Sequence, residues 1–201
     1  MIIKNKYATI VANAIATGTA AWAQKWTQPD APSATATHAA VTLTAVAQTV
    51  TTAITQPDFP RIVTVKGNAG GIAGNVVVSG TDIRGNAISD TIALNAGSEV
   101  LGIKAFASVD SILLPAKTNV SGDTVSIGIG DKLGLEMIPD YAIAISAHHN
   151  ATLEGTLPTI TRHATDIAQN IVDFNSACNA DHDQAVVYYT SEKPQRIKRT
   201  L

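Results

Sequence analysis

Gly74-Asn-Val-Val-Val-Ser-Gly-Thr-Asp-Ile-Arg-Gly-Asn-Ala-Ile-Ser-Asp-Thr-Ile-Ala-Leu94 decides the fold class of this chain. Val76-Val-Val-Ser-Gly80 leads into Asp82-Ile-Arg-Gly-Asn86, after which Ile88, Asp90, Ile92 and Leu94 alternate with Ser89, Thr91 and Ala93. β-Branched side chains are stiff at χ1 and suit a pleated surface, and a period of two gives a strand one buried face. Gly85-Asn86 tolerates the positive φ of a tight turn. The stretch therefore reads as a β-hairpin whose alternation fixes which face is buried.

Working outward, Arg61-Ile-Val-Thr-Val-Lys66, Ala105-Phe-Ala-Ser-Val-Asp-Ser-Ile-Leu-Leu114 and Thr124-Val-Ser-Ile-Gly-Ile129 read as further strands. Gly67-Asn68, Pro115 and Asn119-Val-Ser-Gly-Asp123 punctuate them. Asn68-Ala-Gly-Gly-Ile-Ala-Gly74 is glycine-rich but lacks the Lys and Ser/Thr of a phosphate loop, and is expected to be a flexible or bulged hairpin loop. Upstream, Val41, Leu43 and Ala45 alternate with Thr42 and Thr44, until Pro57 and Pro60 break the pattern. Downstream, Tyr141-Ala-Ile-Ala-Ile-Ser146, Leu157-Pro-Thr-Ile-Thr161 and Gln184-Ala-Val-Val-Tyr-Tyr189 add strands. Ile167, Ile171 and Phe174 have helical spacing, but Asn170 and the β-branched residues around them favour strand and turn. Many short strands with regular turn signals predict a mainly β domain over residues 38–190, an antiparallel β-sandwich or barrel of Ig-like or jelly-roll-like type.

Residues 1–37 read as an arm and linker, helical or extended. Ile3, Tyr7, Ile10, Val11, Ala14, Ile15, Gly18, Trp22 and Trp26 fall at helical spacings, giving one apolar stripe. Gly18 and the β-branched residues weaken the helix and leave an extended arm open. Trp22 and Trp26 would share one helical face and anchor it on a partner, or pack into the chain's own core. Gln28-Pro-Asp-Ala-Pro-Ser-Ala-Thr-Ala-Thr37 reads as a linker, since two prolines and small polar residues oppose regular structure. Lys4, Lys6 and Ala21-Trp22-Ala23 trace the outline of a secretory signal, but Thr9, Asn13, Thr17 and Thr19 interrupt its apolar region, so none is expected.

The chain has 201 residues, of which 15% are charged and 4% aromatic, with a formal net charge of −2. Such a length buries a core without disulfides or metals. So little charge suits a surface partly covered by neighbours or a lightly charged monomer, and −2 offers no general attraction to nucleic acid or anionic membrane. No stretch reaches the ~20 apolar residues of a transmembrane helix. The single Cys178 cannot form an intramolecular disulfide and reads as a small apolar residue. Residues 191–201 form a basic tail in which Lys193, Arg196, Lys198 and Arg199 are four of the fourteen Lys and Arg residues. It is either a solvated end or an arm docking on an acidic neighbour; nucleic-acid binding is the weaker option without interleaved aromatic residues.

Candidate chemistry is sparse. His148-His149 with Asn150, His163 with Asp166, and Asp181-His182-Asp183 are the clusters with metal-ligand residue types. Adjacent histidines on a strand point to opposite faces, so no metal or other cofactor is expected. Ser79 precedes Gly80 without a nucleophile elbow, and there is no His-Glu-x-x-His helix, P-loop or Cys–His pair. No catalytic residues are assigned, and the chain is not expected to be an enzyme.

Pro60-Arg-Ile-Val-Thr-Val-Lys-Gly-Asn68, the Gly74–Leu94 stretch, Lys104-Ala-Phe-Ala-Ser-Val-Asp-Ser-Ile112 and Gly128-Ile-Gly-Asp-Lys-Leu-Gly-Leu135 resemble a recurrent β-rich module of tailed-bacteriophage virion proteins. The resemblance spans about residues 39–135 and carries no catalytic residues. It implies a virion location and a mechanical role, that of a head decoration or cement protein. Its partners would be the major capsid protein and copies of itself, with Trp22, Trp26 and the tail cations as contacts. The alternatives are a tail-tube subunit in stacked rings, or a carbohydrate-binding or host-adhesion module, against which the scarcity of aromatics counts. A hydrolase comes last.

Overall fold

The computed structural model describes residues 2–4, 8–11, 20–119 and 122–192. In chain order the strands are β1 (Ile2–Lys4), β2 (Ala8–Val11), β3 (Ala20–Trp26), β4 (Ser33–Thr42), β5 (Gln48–Val50) and β6 (Arg61–Gly67). The middle of the chain forms β7 (Asn75–Thr81), β8 (Ala87–Ala93), β9 (Glu99–Phe106), β10 (Ser108–Leu114) and β11 (Thr124–Gly134). Then follow β12 (Ala144–His149), β13 (Thr152–Leu153), β14 (Thr159–Thr161), β15 (Ile171–Asp173) and β16 (Gln184–Thr190). A single 3-10 turn, Ile167–Gln169, is the helical element among the described residues. The protein is mainly β and its strand pairings are antiparallel, as the alternating sequence requires.

Three sheets result. The first has the order β1-β2-β3-β16-β12-β13, the second β5-β10-β7-β8, and the third β14-β15-β11-β6-β9. The expected hairpin is β7–β8, in register from Asn75 opposite Ala93 to Thr81 opposite Ala87. Gly85 has φ +79°, and the Asp82 carboxylate accepts the Arg84 and Asn86 N–H groups at 2.7 and 2.9 Å. An Asx-type turn thus closes the loop that the Gly-Asn pair announces.

The eleven-residue β11 organises the rest. One edge bonds β6; the other is shared between β4, along Thr124–Ile129, and β15, at Leu133 and Gly134. Two cores form along this third sheet. The second sheet packs on one part, where Val125 and Ile127 meet Val76, Val78, Ile112 and Leu114. The first sheet packs on the other, where Leu133 and Leu135 meet Trp22, Trp26, Val186 and Tyr188. Each fully buried side chain of this kind contributes about 1.5–3 kcal/mol. Asp90 stands at a core-facing position of β8, and its carboxylate accepts the N–H groups of Ile103 and Lys104 at 2.7 and 3.2 Å. That carboxylate ties the second sheet to β9 of the third, so the polar break in an otherwise apolar face is a fastening.

Several expectations change. Ala20–Trp26 is a strand, not part of a helix, and it lies inside the first sheet between β2 and β16. The segment 28–37 is no free linker: residues 33–37 belong to β4, and Asp30 is held from both ends by Asp58 and Arg61. The boundary expected at residue 37 therefore falls in mid-strand, and a cut after Ala23 would split β3. Asn68–Gly74 is not a hairpin loop, because β6 and β7 belong to different sheets. It crosses between them, with Gly71 and Gly74 at φ +86° and +111° and Ile72 plugging the second core. The run 105–114 switches sheets at Ala107, whose N–H bonds Thr81 O at 2.8 Å. Residues 164–174 are turn and strand, as the sequence favoured.

β4 approaches β11 so closely that a Cβ at Gly128 would strike the Ser33 carbonyl oxygen and stand 2.6 Å from Ala34 Cα. Backbone cannot yield as a flexible side chain can. Gly128→Ala is expected to cost about 1–3 kcal/mol, read as a lowered urea midpoint at unchanged slope. An unchanged midpoint would show that β4 does not pack there.

Candidate interaction surface

The first sheet has two unlike faces. Trp22, Gln24 and Trp26 of β3 and Gln184, Val186, Tyr188 and Thr190 of β16 point inward and are buried. The intervening residues, Ala21, Ala23, Ala185, Val187 and Tyr189, point outward and are partly exposed. Registers of Tyr189 with Ala21, Val187 with Ala23, and Ser146 with Val187 make these residues one surface. Beyond it lie Tyr141 (58% exposed), Ile143 (63%), Ile145 and Leu153 (61%). Tyr141 meets Tyr189 edge to face with centroids 6.4 Å apart. Lys25, the strand cation on this side, is paired with Asp183 at 2.5 Å. The result is an outer face of small, aliphatic and tyrosyl groups, with His148 between Ala185 and Leu153 and the Lys25–Asp183 ion pair at its margin. Contiguous exposed apolar surface of this kind marks interaction sites more often than plain solvent-facing sheet.

Trp22 and Trp26 do not lie on that face. They are 4% and 2% exposed in the first-sheet core, and Trp26 meets the Phe174 ring edge-on at 5.7 Å. Of the two sequence readings, packing within the same chain is the arrangement present, and the helical anchor face is absent. Lys193, Arg196, Lys198 and Arg199 lie outside the described residues.

The histidines are arranged in a way the sequence did not reveal. His149 Nε2 and His182 Nδ1 stand 2.9 Å apart, although 33 residues separate them. The β12–β16 register, which sets His149 opposite Gln184, brings them together. Asn179 Oδ1 accepts the His182 and Asp181 N–H groups, so its amide nitrogen faces His182 Nδ1 and donates at 2.9 Å. An amide nitrogen can only donate, so His182 Nδ1 is the acceptor of the Asn179 bond. Among the described residues no group of three or more His, Cys, Asp or Glu is placed to hold a metal ion. His163 accepts the Asp166 N–H at Nδ1, and Asp166 in turn caps the 3-10 turn through Ala168 N–H. Both arrangements are loop fastenings.

Cys178 is 2% exposed. Burial, reinforced by a hydrogen bond to Asp131 and by that residue's charge, pushes its thiol up to about 12. Relative to a free thiol near 8.5, alkylation at pH 8 should be slowed by about a thousandfold in the folded chain and restored in denaturant. Labelling at the free rate would mean that Cys178 is not enclosed.

Hollows open on the described surface, and two of them hold charged groups. One, of about 500 Å3, is lined by Asp82, Arg84, Ser89, Lys104 and Asp166 among others. Its cations are paired, Arg84 with Glu192 at 2.7 Å and Lys104 with Asp166 at 3.3 Å. The other, of about 260 Å3, is lined by Trp26, Phe59, Pro60, Ile83 and Glu136, with Gln24, Lys25 and Asp58. The chain matches no family model, no curated protein and no solved structure.

Proposed function

We propose that this chain is a structural protein of the tailed-bacteriophage virion that decorates the head and cements neighbouring capsid subunits. The observation that carries this reading is the lightly charged apolar outer face of the first sheet, running from Ala21 and Ala23 across Val187 and Tyr189 to Ile145 and Leu153. Such a face, backed by two tryptophans in a packed core, presents a rigid surface that loses little conformational freedom on docking. A protein that binds only the assembled lattice stabilises it by linkage against internal pressure. The residues that resemble phage virion modules lie mostly in β6 to β11, so they supply the block on which the face is mounted. An Ig-like or jelly-roll-like form for that block, a capsid partner and contacts between copies are parts of the same proposal.

A tail-tube subunit is the second reading, favoured by the two ends of the first sheet. At one end β13 is only two residues long and leaves most of β12 unpaired beside Tyr141 and Ile143; at the other stands β1. Edge-to-edge pairing of unlike edges closes into rings when the rotation permits. Cryo-electron microscopy of purified virions separates the readings. Density at lattice positions on the outer capsid supports the cement role. Stacked rings below the head would transfer the chain to the tube, and absence from particles would sink both.

A further inference from the structure

The hollow beside Trp26 holds an uncompensated acid. Of the charged groups that line it, Asp58 pairs with Arg61 and Lys25 with Asp183. Among the described residues the Glu136 carboxylate has neither a hydrogen bond nor an ion pair. Its backbone is fixed, because the Glu136 N–H donates to Gln24 Oε1 at 2.9 Å. Burial alone holds the carboxyl above the usual range, so a cation brought beside it would offset the cost of its charge. Trp26, Phe59, Pro60 and Ile83 supply apolar walls, and Trp26 meets the Phe174 ring edge-on behind them. Wall and carboxylate are therefore in place before anything docks, which lowers the ordering cost of binding.

The occupant that fits carries a cation at the end of an apolar stem. A volume of about 260 Å3 is below the ~300–1,000 Å3 of pockets that take drug-sized ligands, so one side chain fills it. Both Glu136 oxygens lack partners. A planar guanidinium meets two such oxygens with parallel N–H bonds, whereas an ammonium meets them as a point charge. Guanidinium is also the less strongly hydrated cation and stacks on aromatic rings. We propose that this hollow receives an arginine side chain of a partner protein, its guanidinium on Glu136 and its methylenes against Phe59, Pro60 and Ile83. A desolvated arginine seated in a formed pocket is the kind of residue that anchors an interface. This assignment depends neither on the virion reading nor on the outer face of the first sheet.

Titrating the full chain with Nα-acetyl-arginine N-methylamide, an arginine with its backbone blocked as in a protein, tests it. Nuclear magnetic resonance should show saturable shifts of the Glu136 and Ile83 amides and the Trp26 indole. The equivalent capped citrulline has nearly the same shape without the charge. It should bind at least about tenfold more weakly, as should the capped arginine to Glu136→Gln. The capped lysine should also bind more weakly than the capped arginine. No saturable shift, equal binding of the citrulline or lysine probe, or undiminished binding to Glu136→Gln would overturn the proposal. Tighter binding of free arginine would overturn it too, by assigning the hollow to a small molecule. Thermal unfolding gives an independent readout. Glu136→Gln removes an uncompensated, half-buried charge, so it should leave Tm unchanged or raise it. A Tm lowered by several degrees would mean that the carboxylate is already paired within the chain and closed to a partner.

Discussion

Arg61→Ala should remove about 3–5 kcal/mol of stability, because it takes the cation out of an ion pair that is fully buried on the arginine side. The Arg61 side chain is 0% exposed, and its Nη1 binds Asp58 Oδ1 at 2.9 Å. The same guanidinium donates to Asp30 O at 2.9 Å and, through Nε at 2.9 Å and Nη2 at 2.5 Å, to Gly130 O. The β6–β11 ladder breaks between Ile129 and Leu133, so the Gly130 carbonyl falls where the ladder is interrupted, and Arg61 fills the gap. Asp58 in turn accepts the Asp30 N–H at 2.7 Å. One side chain thus holds the bulge of the longest strand and the crossing from β3 to β4. Arg61→Lys keeps the charge but not the planar fork, so it should recover only a fraction of the loss. Urea unfolding measures both variants, and limited proteolysis near Asp30 should become faster in each. A loss below about 1 kcal/mol for Arg61→Ala would show that the bulge and crossing are held by other contacts.

How far the sequence can be read depends on whether period and burial agree. In β7–β8 they do: Val76, Val78 and Ile92 face the core, and Gly85 takes the positive φ its turn needs. In β3 they do not. Trp22 and Trp26 are four apart, a spacing that fits one helical face and also every second residue of a strand. The residue that would have decided, Gln24, is polar yet 3% exposed, because its amide donates to Gly134 O at 3.0 Å and accepts Glu136 N–H at 2.9 Å. A buried amide satisfied by backbone more than a hundred residues away leaves no local mark. β4 is hidden for a similar reason: its one fully buried side chain is Thr37, whose hydroxyl bonds Gly128 O at 3.2 Å, so its core face looks polar. The outer face of the first sheet was invisible because small alanines at 21 and 23 become a surface only once β16 and β12 are laid beside them. The His149–His182 contact likewise exists only in the folded register.

Removing residues 1–37 should unfold the first-sheet core rather than release an intact β-domain. β16 pairs with β3 along seven positions, Gln184 opposite Trp26 through Thr190 opposite Ala20, and without β3 that whole edge is unpaired. The deletion also withdraws Trp22 and Trp26 from Val186, Tyr188 and Phe174. Removing one such aromatic costs about 3–5 kcal/mol, and two together approach the whole stability of a typical domain. Trp26→Ala isolates one part of the effect. It empties the site against Phe174 while leaving the β3–β16 ladder intact, and should cost about 3–5 kcal/mol. Hydrogen exchange locates the damage. Amides of β12 and β16 should lose protection in the truncated chain, while those of the β7–β8 hairpin, which belongs to the other core, lose less. Equal loss in both would mean that the two cores, joined through β11, open as one unit. Full protection of β16 after truncation would restore the division at residue 37 that the sequence suggested, with β3 an appended arm.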